Sequence, residues 1–259
     1  MPDFELTKWY ADCVSERGDA CILYSAELAF PPIRYTSLLR LQDGRPAQNR
    51  FSLRKQASPE MRDGCIEWNS RRWKAEGQWS CSDSSIRETL FDSPDGSLEW
   101  ECLAPRAGAY LRTGDEPEIR GWGYVERLRL SVAPWRLPIR ELRWGRFING
   151  FDALVWIDWR GPYNRQVVYH NGAAVPARSI GDTGIELSDG AVLRFEASTP
   201  LREGRLGATA LAVIPHVDRL FPASILNVRE RKWLSRAVLR RAGCADSTGM
   251  AIHEVVEWP

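Results

Sequence analysis

Short runs of aromatic and branched residues alternate with glycine- and aspartate-containing turns along most of the chain. The clearest runs cover residues 20–30, 65–75, 97–104, 152–161, 165–172 and 191–199. Runs of this length, separated by frequent turns, are typical of antiparallel sheets. The pattern predicts an all-β fold, built as barrels or sandwiches.

One segment has helical rather than strand-like spacing. Asn227 is suited to cap a helix over residues 228–242 that stops at Gly243, with an apolar stripe that includes Leu234. The opposite face of this helix is basic. Such a face is usually solvated, and contact with a membrane surface or an acidic partner is the alternative. We therefore expect one amphipathic helix near the C-terminus.

A polar, turn-like stretch interrupts the strand pattern at residues 112–121, RTGDEPEIRG, and the aromatic pattern restarts after it. We expect two β domains, with a boundary near Ile119. The predicted domains are residues 1–118 and 119–259, and the second contains the helix near 228–242.

The run GWGYVERLRL (121–130) has an unusual alternation. Successive side chains of a strand point to opposite faces, so Trp122 and Tyr124 share one face with two leucines, and Glu126 stands between them. Three later strands repeat this arrangement. In these strands Trp144 shares a face with Arg146, Trp156 with Asp158, and Trp258 with Glu254. His253 lies on the opposite face from Glu254.

A charge inside an apolar interior costs several kcal/mol unless it is paired or neutralised. Glu126 and Arg146 are the natural couple, and a structural ion pair is one interpretation. The other is a cavity acid, a carboxyl whose pKa burial raises so that it protonates or orients a ligand. On this second interpretation the candidate catalytic residues are Glu126, Arg146 and Asp158. The candidate substrate-binding residues are Tyr124, Trp122, Trp144, Trp156, His253 and Glu254; for His253 a structural role is the alternative.

Composition narrows the function classes. The chain has 35 basic and 34 acidic residues, so no global field favours nucleic acid. It has no apolar run long enough to span a membrane and no signal-peptide pattern, and we expect a cytoplasmic protein. Three scattered histidines and six cysteines without a CxxC motif suggest no metal site. Twelve tryptophans suit an apolar core or a flat unsaturated ligand.

The segment GWGYVERLRLSVAPWRLPIRELRWGRF, the run DALVWIDWRG and the ending GMAIHEVVEWP resemble a lipocalin-related superfamily. That superfamily includes carotenoid 1,2-hydratases, tocopherol cyclases and fungal Diels-Alderases. Tyr124 matches its GxGY strand, and Trp144 and Gly145 match its tryptophan-glycine strand. The resemblance implies two consecutive lipocalin-like barrels, an apolar ligand site and no cofactor. Glu126 and Arg146 stand where the hydratases tend to have a histidine-containing run, a departure that weakens the case for hydratase chemistry.

These observations lead to two main functional hypotheses. The first is a cofactor-independent cyclase, hydratase or isomerase that acts on a hydrophobic unsaturated small molecule of isoprenoid or polyketide type. The second is a non-catalytic carrier of an apolar ligand. A third is a partner-binding protein that uses the basic helix. The substrate, the reaction and the oligomeric state stay open at this point.

Overall fold

The computed structural model describes residues 4–30, 33–42, 44–54, 57–71, 74–114, 116–214 and 216–259. In these ranges the chain forms two antiparallel sheets, and it divides into two compact units. The first unit comprises Met1–Leu137 and Ala212–His216, and the second comprises Pro138–Leu211 and Val217–Pro259. The predicted all-β antiparallel class is confirmed.

The first sheet belongs to the first unit and has ten strands in the described ranges. They are β1 (Glu5–Val14), β2 (Ala20–Phe30), β3 (Ile33–Gln42), β4 (Gln48–Ser52), β5 (Glu60–Arg62), β6 (Cys65–Ser70), β7 (Ala75–Cys81), β8 (Ile86–Ser93), β9 (Gly96–Thr113) and β10 (Ile119–Leu130). Their order is β4-β3-β2-β1-β10-β9-β7-β6-β5, with β8 paired to β9. Leu23 of β2 and Trp68 of β6 share one core cluster although β1, β10, β9 and β7 separate them, so the sheet curves round its own core.

The second sheet belongs to the second unit and has nine strands in the described ranges. They are β11 (Glu141–Ile148), β12 (Ala153–Arg160), β13 (Arg165–His170), β14 (Ala173–Ala174), β15 (Ala177–Gly181), β16 (Gly184–Leu187), β17 (Val192–Arg205), β18 (Arg229–Arg240) and β19 (Ser247–Glu257). Their order is β14-β13-β12-β11-β19-β18-β17-β16-β15. Val168 of β13 and Ile180 of β15 meet in one core cluster, so this sheet also closes on itself.

Helical structure is limited to short pieces in the described ranges. These are α1 (Val217–Leu220), α2 (Ala223–Leu226) and two 3-10 turns at Pro134–Arg136 and Leu206–Ala208. None of the helices in this part of the chain combines the length and apolar character needed to cross a bilayer.

The predicted helix over 228–242 is wrong, because Arg229–Arg240 forms strand β18. This strand pairs along its length with both β17 and β19, and hydrogen bonds to two neighbours outweigh helix propensity. Lys232, expected on a solvated face, is fully buried. The end signals mark real boundaries: Asn227 caps the C-terminus of α2, and Gly243 has a positive φ of 73° after the strand.

Strand β10 lies inside the first sheet, where it pairs with β1 on one side and β9 on the other. The sequence prediction divides the chain between residues 118 and 119, whereas the compact units divide between Leu137 and Pro138. The polar stretch 112–121 thus contains the end of β9, the start of β10 and the connection between these two paired strands of one sheet.

Candidate active site

The second unit contains a cavity of about 330 Å³ on the core side of its sheet. Its walls include four rings, from Trp156, Phe195, Trp233 and His253, and we call it the aromatic cavity. The volume falls within the range of about 300 to 1,000 Å³ that is usual for small-molecule sites. The rest of the lining is mixed, with apolar residues such as Ile180 and Val255 beside the charged residues Arg143, Asp182, Arg231 and Glu254.

Strand register brings these rings together. Gly145 of β11 pairs with Trp156 of β12 on one side and with His253 of β19 on the other, and His253 pairs with Trp233 of β18. Paired residues point to the same face, so the three side chains share one side of the sheet. A Cβ atom at Gly145 would lie 2.2 Å from Cζ2 of Trp156. The glycine of the tryptophan-glycine strand therefore makes room for the indole of Trp156.

The four rings form a connected stack. The Phe195 and His253 ring centroids are 4.1 Å apart with an interplanar angle of 11°. Trp233 stacks on His253 at 5.2 Å, and Trp156 on Phe195 at 6.0 Å. Flat, polarisable walls of this kind suit a flat unsaturated ligand, and their faces can stabilise positive charge.

His253 is the titratable ring of this stack. Its Nε2 atom lies 2.8 Å from Oγ of Ser235, which lies 2.7 Å from Oγ of the exposed Ser198. Burial, reinforced by the positive charge of Lys232, lowers the pKa of His253 to about 4. The imidazole is therefore neutral at neutral pH. It can accept a proton, and two hydroxyls connect it to the surface.

Charged side chains border the aromatic cavity. Arg143 donates to Asp182 at 2.5 Å and to Glu141 at 2.6 Å. The hydrogen bond from Arg143 holds the pKa of Asp182 below its usual value. Arg160 bridges Glu141 at 2.8 Å and Asp158 at 2.6 Å, so the network is linked. It fixes Arg143 at the edge of the cavity.

The first unit carries a second cluster of polar and aromatic groups, the tyrosine–carboxylate face. Tyr10 donates to Asp12 at 2.7 Å on β1, and Tyr124 donates to Glu126 at 2.8 Å on β10. The two strands pair with Tyr10 opposite Glu126 and Asp12 opposite Tyr124, so the two motifs run in opposite directions side by side. Trp100 adds a hydrogen bond of 2.6 Å to Glu126. Burial raises the pKa of Tyr124 well above its usual value.

Comparisons with known proteins bear on the fold. Neither a protein-family model nor a curated protein matches the sequence. Among solved structures, CghA with Sch210972 is 12% identical, with a TM-score of 0.51 over 99% of this chain and 89% of that chain. Kievitone hydratase from Nectria haematococca is 8% identical, with a TM-score of 0.58 over 97% of this chain and 88% of that chain. The chain has a lipocalin-like fold. The fold expected from the sequence resemblance is thereby confirmed.

Within this lipocalin-like fold the predicted site residues fall into separate groups. Trp156, His253 and Glu254 line the aromatic cavity, although the carboxylate of Glu254 forms an ion pair with the buried Lys232. The Lys232 ammonium also lies over the Trp144 ring, 4.7 Å from its centroid. On β12, Asp158 is the ion-pair partner of Arg160.

The two residues of the predicted pair, Glu126 and Arg146, belong to different units. Glu126 belongs to the first unit, with Tyr124 and the half-buried Trp122 on the same strand. Arg146 belongs to the second unit, where it is 1% exposed and donates to the carbonyl of Met250 at 2.8 Å. The ion pair between them stays a prediction.

Sequence reasoning missed several residues of both sites. Phe195 and Ser198 lie on β17, whose register with β18 shifts between Phe195 and Ala197, so simple alternation fails there. Trp233 and Ser235 were hidden by the helical interpretation of β18. Asp12 was available as a carboxylate two residues after a tyrosine, the same spacing as in Tyr124 and Glu126.

Proposed function

We propose that the chain is a cofactor-independent enzyme, a cyclase, hydratase or isomerase, that acts on a hydrophobic unsaturated small molecule bound in the aromatic cavity. The observation that carries the proposal is His253. It is a neutral imidazole with a hydrogen-bond connection to the surface, and it lies in the wall of an aromatic cavity of ligand size. A purely apolar carrier needs no such group.

The walls supply binding and shape. Trp156, Phe195 and Trp233 hold a flexible unsaturated chain in a folded conformation, which removes much of the entropy barrier to ring closure or to a directed proton transfer. Their ring faces also stabilise a cation that develops along the chain. These contributions require no group other than the side chains of the chain itself.

His253 supplies proton transfer. Its imidazole is unprotonated at neutral pH and offers a nitrogen lone pair to an acidic O–H or C–H group of the ligand, although a pKa of about 4 makes it a weaker base than an ordinary histidine. Ser235 and Ser198 continue the hydrogen-bond chain to the surface, which gives the proton an exit and a return path. An enzyme that isomerises or cyclises its ligand by proton transfer needs both the removal of a proton and its return.

The acids predicted from the sequence take supporting roles in this proposal. Asp158 holds Arg160, and Arg160 shares Glu141 with Arg143 at the cavity edge. This makes Asp158 a positioning residue. Glu126 accepts hydrogen bonds from two buried donors, Trp100 and Tyr124. Its role as an acid stays a prediction.

The fold of kievitone hydratase and of CghA is compatible with this proposal, since one of the two is named as a hydratase and the other was solved with a bound small molecule. The carrier hypothesis is the competitor. It assigns the same cavity to the same ligand but predicts that the ligand leaves unchanged.

Kinetics of a His253 variant separate the two hypotheses. A ligand retained by the purified protein is first identified by native mass spectrometry and then incubated with wild type, His253→Gln and, as a control outside the cavity, His216→Gln. Hydration adds the mass of water, whereas cyclisation or isomerisation changes chromatographic retention at constant mass. We expect His253→Gln to lose turnover by about 100-fold or more while affinity stays within a few fold. An unchanged ligand with the wild-type protein would favour the carrier.

A further inference from the structure

The ring of His253 meets the aromatic cavity with its edge, because other rings cover its two faces. Phe195 lies between His253 and Trp156 in the stack, and Trp233 stacks on His253 from the paired position on β18. At the edge of the imidazole, Nε2 is bonded to Ser235. Nδ1 has no hydrogen-bond partner in the part of the chain that the structure describes. A polar contact from a ligand to this ring is therefore made in the ring plane, at Nδ1.

The hydrogen-bond chain to the surface leaves Nδ1 as an acceptor when it runs outward. A neutral imidazole carries one proton, and when Nε2 donates it to Oγ of Ser235, Nδ1 presents a lone pair. Burial lowers the pKa of His253 to about 4, so the ring is neutral at neutral pH. Oγ of Ser235 can then donate to Oγ of Ser198. The Nδ1 edge thus suits a donor group of the ligand.

Arg143 places a donor beside this acceptor. It pairs with Val255, two residues after His253 on β19, so Arg143 and His253 are diagonal neighbours on one face, about 7 to 8 Å apart. Nε of Arg143 donates to Glu141 and Nη1 donates to Asp182. Within the described ranges Nη2 has no partner. The cavity therefore offers one acceptor and one donor, and a single hydroxyl group satisfies both.

The charges at this side of the cavity favour a neutral ligand. The network around Arg143 and Arg160 contains three carboxylates, those of Glu141, Asp158 and Asp182. Arg231, which also lines the cavity, is paired with Glu257. A ligand carboxylate would add a further negative charge next to Asp182, whereas a hydroxyl adds none. The positive charges here are thus already matched by carboxylates of the protein.

We propose that the aromatic cavity selects neutral, flat ligands that carry a hydroxyl group on a ring or conjugated chain. The hydroxyl donates to Nδ1 of His253 and accepts from Nη2 of Arg143, and the conjugated part packs against the aromatic wall. This inference rests on the proposed function, since it names the ligand class of the same cavity. It also identifies the O–H group of the ligand that faces the imidazole.

NMR titrations of the full chain with three naphthalenes that differ in one substituent test the proposal. The probes are 2-naphthol with a hydroxyl, 2-methylnaphthalene with a methyl group and 2-naphthoate with a carboxylate. We expect wild type to bind 2-naphthol about tenfold or more tightly than either other probe. Arg143→Gln should weaken 2-naphthol binding by about fivefold and leave 2-methylnaphthalene binding within about twofold. Arg194→Gln is the control, because Arg194 is an exposed arginine of the same unit outside the cavity lining.

The ring nitrogens of His253 give a second readout in protein that contains isotope-labelled histidine, with the resonances assigned by their loss in His253→Gln. Saturation with 2-naphthol should move the Nδ1 resonance of His253 and leave those of His170 in place. Equal affinity of wild type for 2-naphthol and 2-methylnaphthalene, or an Nδ1 resonance that stays in place, would overturn the inference. These wild-type results decide the question if Arg143→Gln does not fold.

Neither readout depends on turnover, so failure of this inference is distinct from failure of the proposed function. A carrier would bind 2-naphthol through the same two contacts, and the enzyme proposal would then fail in the separate test in which wild type leaves its retained ligand unchanged. Conversely, turnover without a preference for 2-naphthol would reject the hydroxyl contact alone.

Discussion

The buried, neutral state of His253 predicts a specific loss of stability in mild acid. In the unfolded chain a histidine has a pKa near 6.5, and in the folded protein burial lowers the pKa of His253 to about 4. Between these two values the unfolded state binds more protons than the folded state. Stability from this group is therefore complete above about pH 6.5 and falls as the pH drops toward 4.

The size of the effect follows from the same two values. The two pKa values of His253 differ by about 2.5, which corresponds to about 3 kcal/mol of stability over the full pH range. The loss of stability between pH 7 and pH 5 is about 2 kcal/mol. His253→Gln removes the titrating group and keeps a polar side chain next to Ser235. The free energy of unfolding of this variant should therefore fall by about 2 kcal/mol less than that of wild type between the two pH values.

Urea unfolding at pH 7 and pH 5, followed by tryptophan fluorescence, measures this difference. His216→Gln is the control, because His216 is exposed and its replacement should leave the pH dependence of wild type in place. An equal loss of stability between pH 7 and pH 5 in wild type and His253→Gln would refute the assignment of His253 as a buried neutral imidazole.

Two further predictions concern packing around the candidate sites. Gly145→Ala should lower stability by about 1 to 3 kcal/mol, because the new Cβ would overlap Trp156, whereas Gly108→Ala meets no atom within 4 Å and should be near neutral. Thermal unfolding checks both, and equal melting temperatures would contradict the close packing. Glu126→Leu should cost about 2 to 5 kcal/mol in urea unfolding, since it leaves two buried donors without their acceptor, and a gain in stability would show that the carboxylate is dispensable.

Alternation of side chains in the sequence singled out Trp156, His253 and Glu254, which line the aromatic cavity, but not Phe195 or Trp233. It correctly grouped Trp144 with Arg146 on β11 and Trp156 with Asp158 on β12, because these strands pair without register shifts. It also put His253 and Glu254 on opposite faces. The strand pattern predicted only an all-β class, and the resemblance to lipocalin-like proteins then predicted the particular fold.

Alternation within one strand could not predict which side chains contact each other across neighbouring strands. Glu126 is bound by Trp100, whose strand β9 shifts register against β10 next to Val125, so no alternation rule reaches it. Lys232 shows the opposite problem. A basic residue in a basic run suggested a solvated helix, yet it is buried because Glu254 on the adjacent strand neutralises it. Both cases depend on residues distant in sequence.

The central claim, that the aromatic cavity holds a hydrophobic unsaturated ligand, is tested most directly by native mass spectrometry of freshly purified protein. Wild type and Gly108→Ala are predicted to retain such a ligand, and Gly145→Ala, whose added Cβ would overlap the Trp156 ring in the cavity wall, is predicted to lose it. Equal retention in all three folded proteins, or no ligand in wild type, would contradict the account.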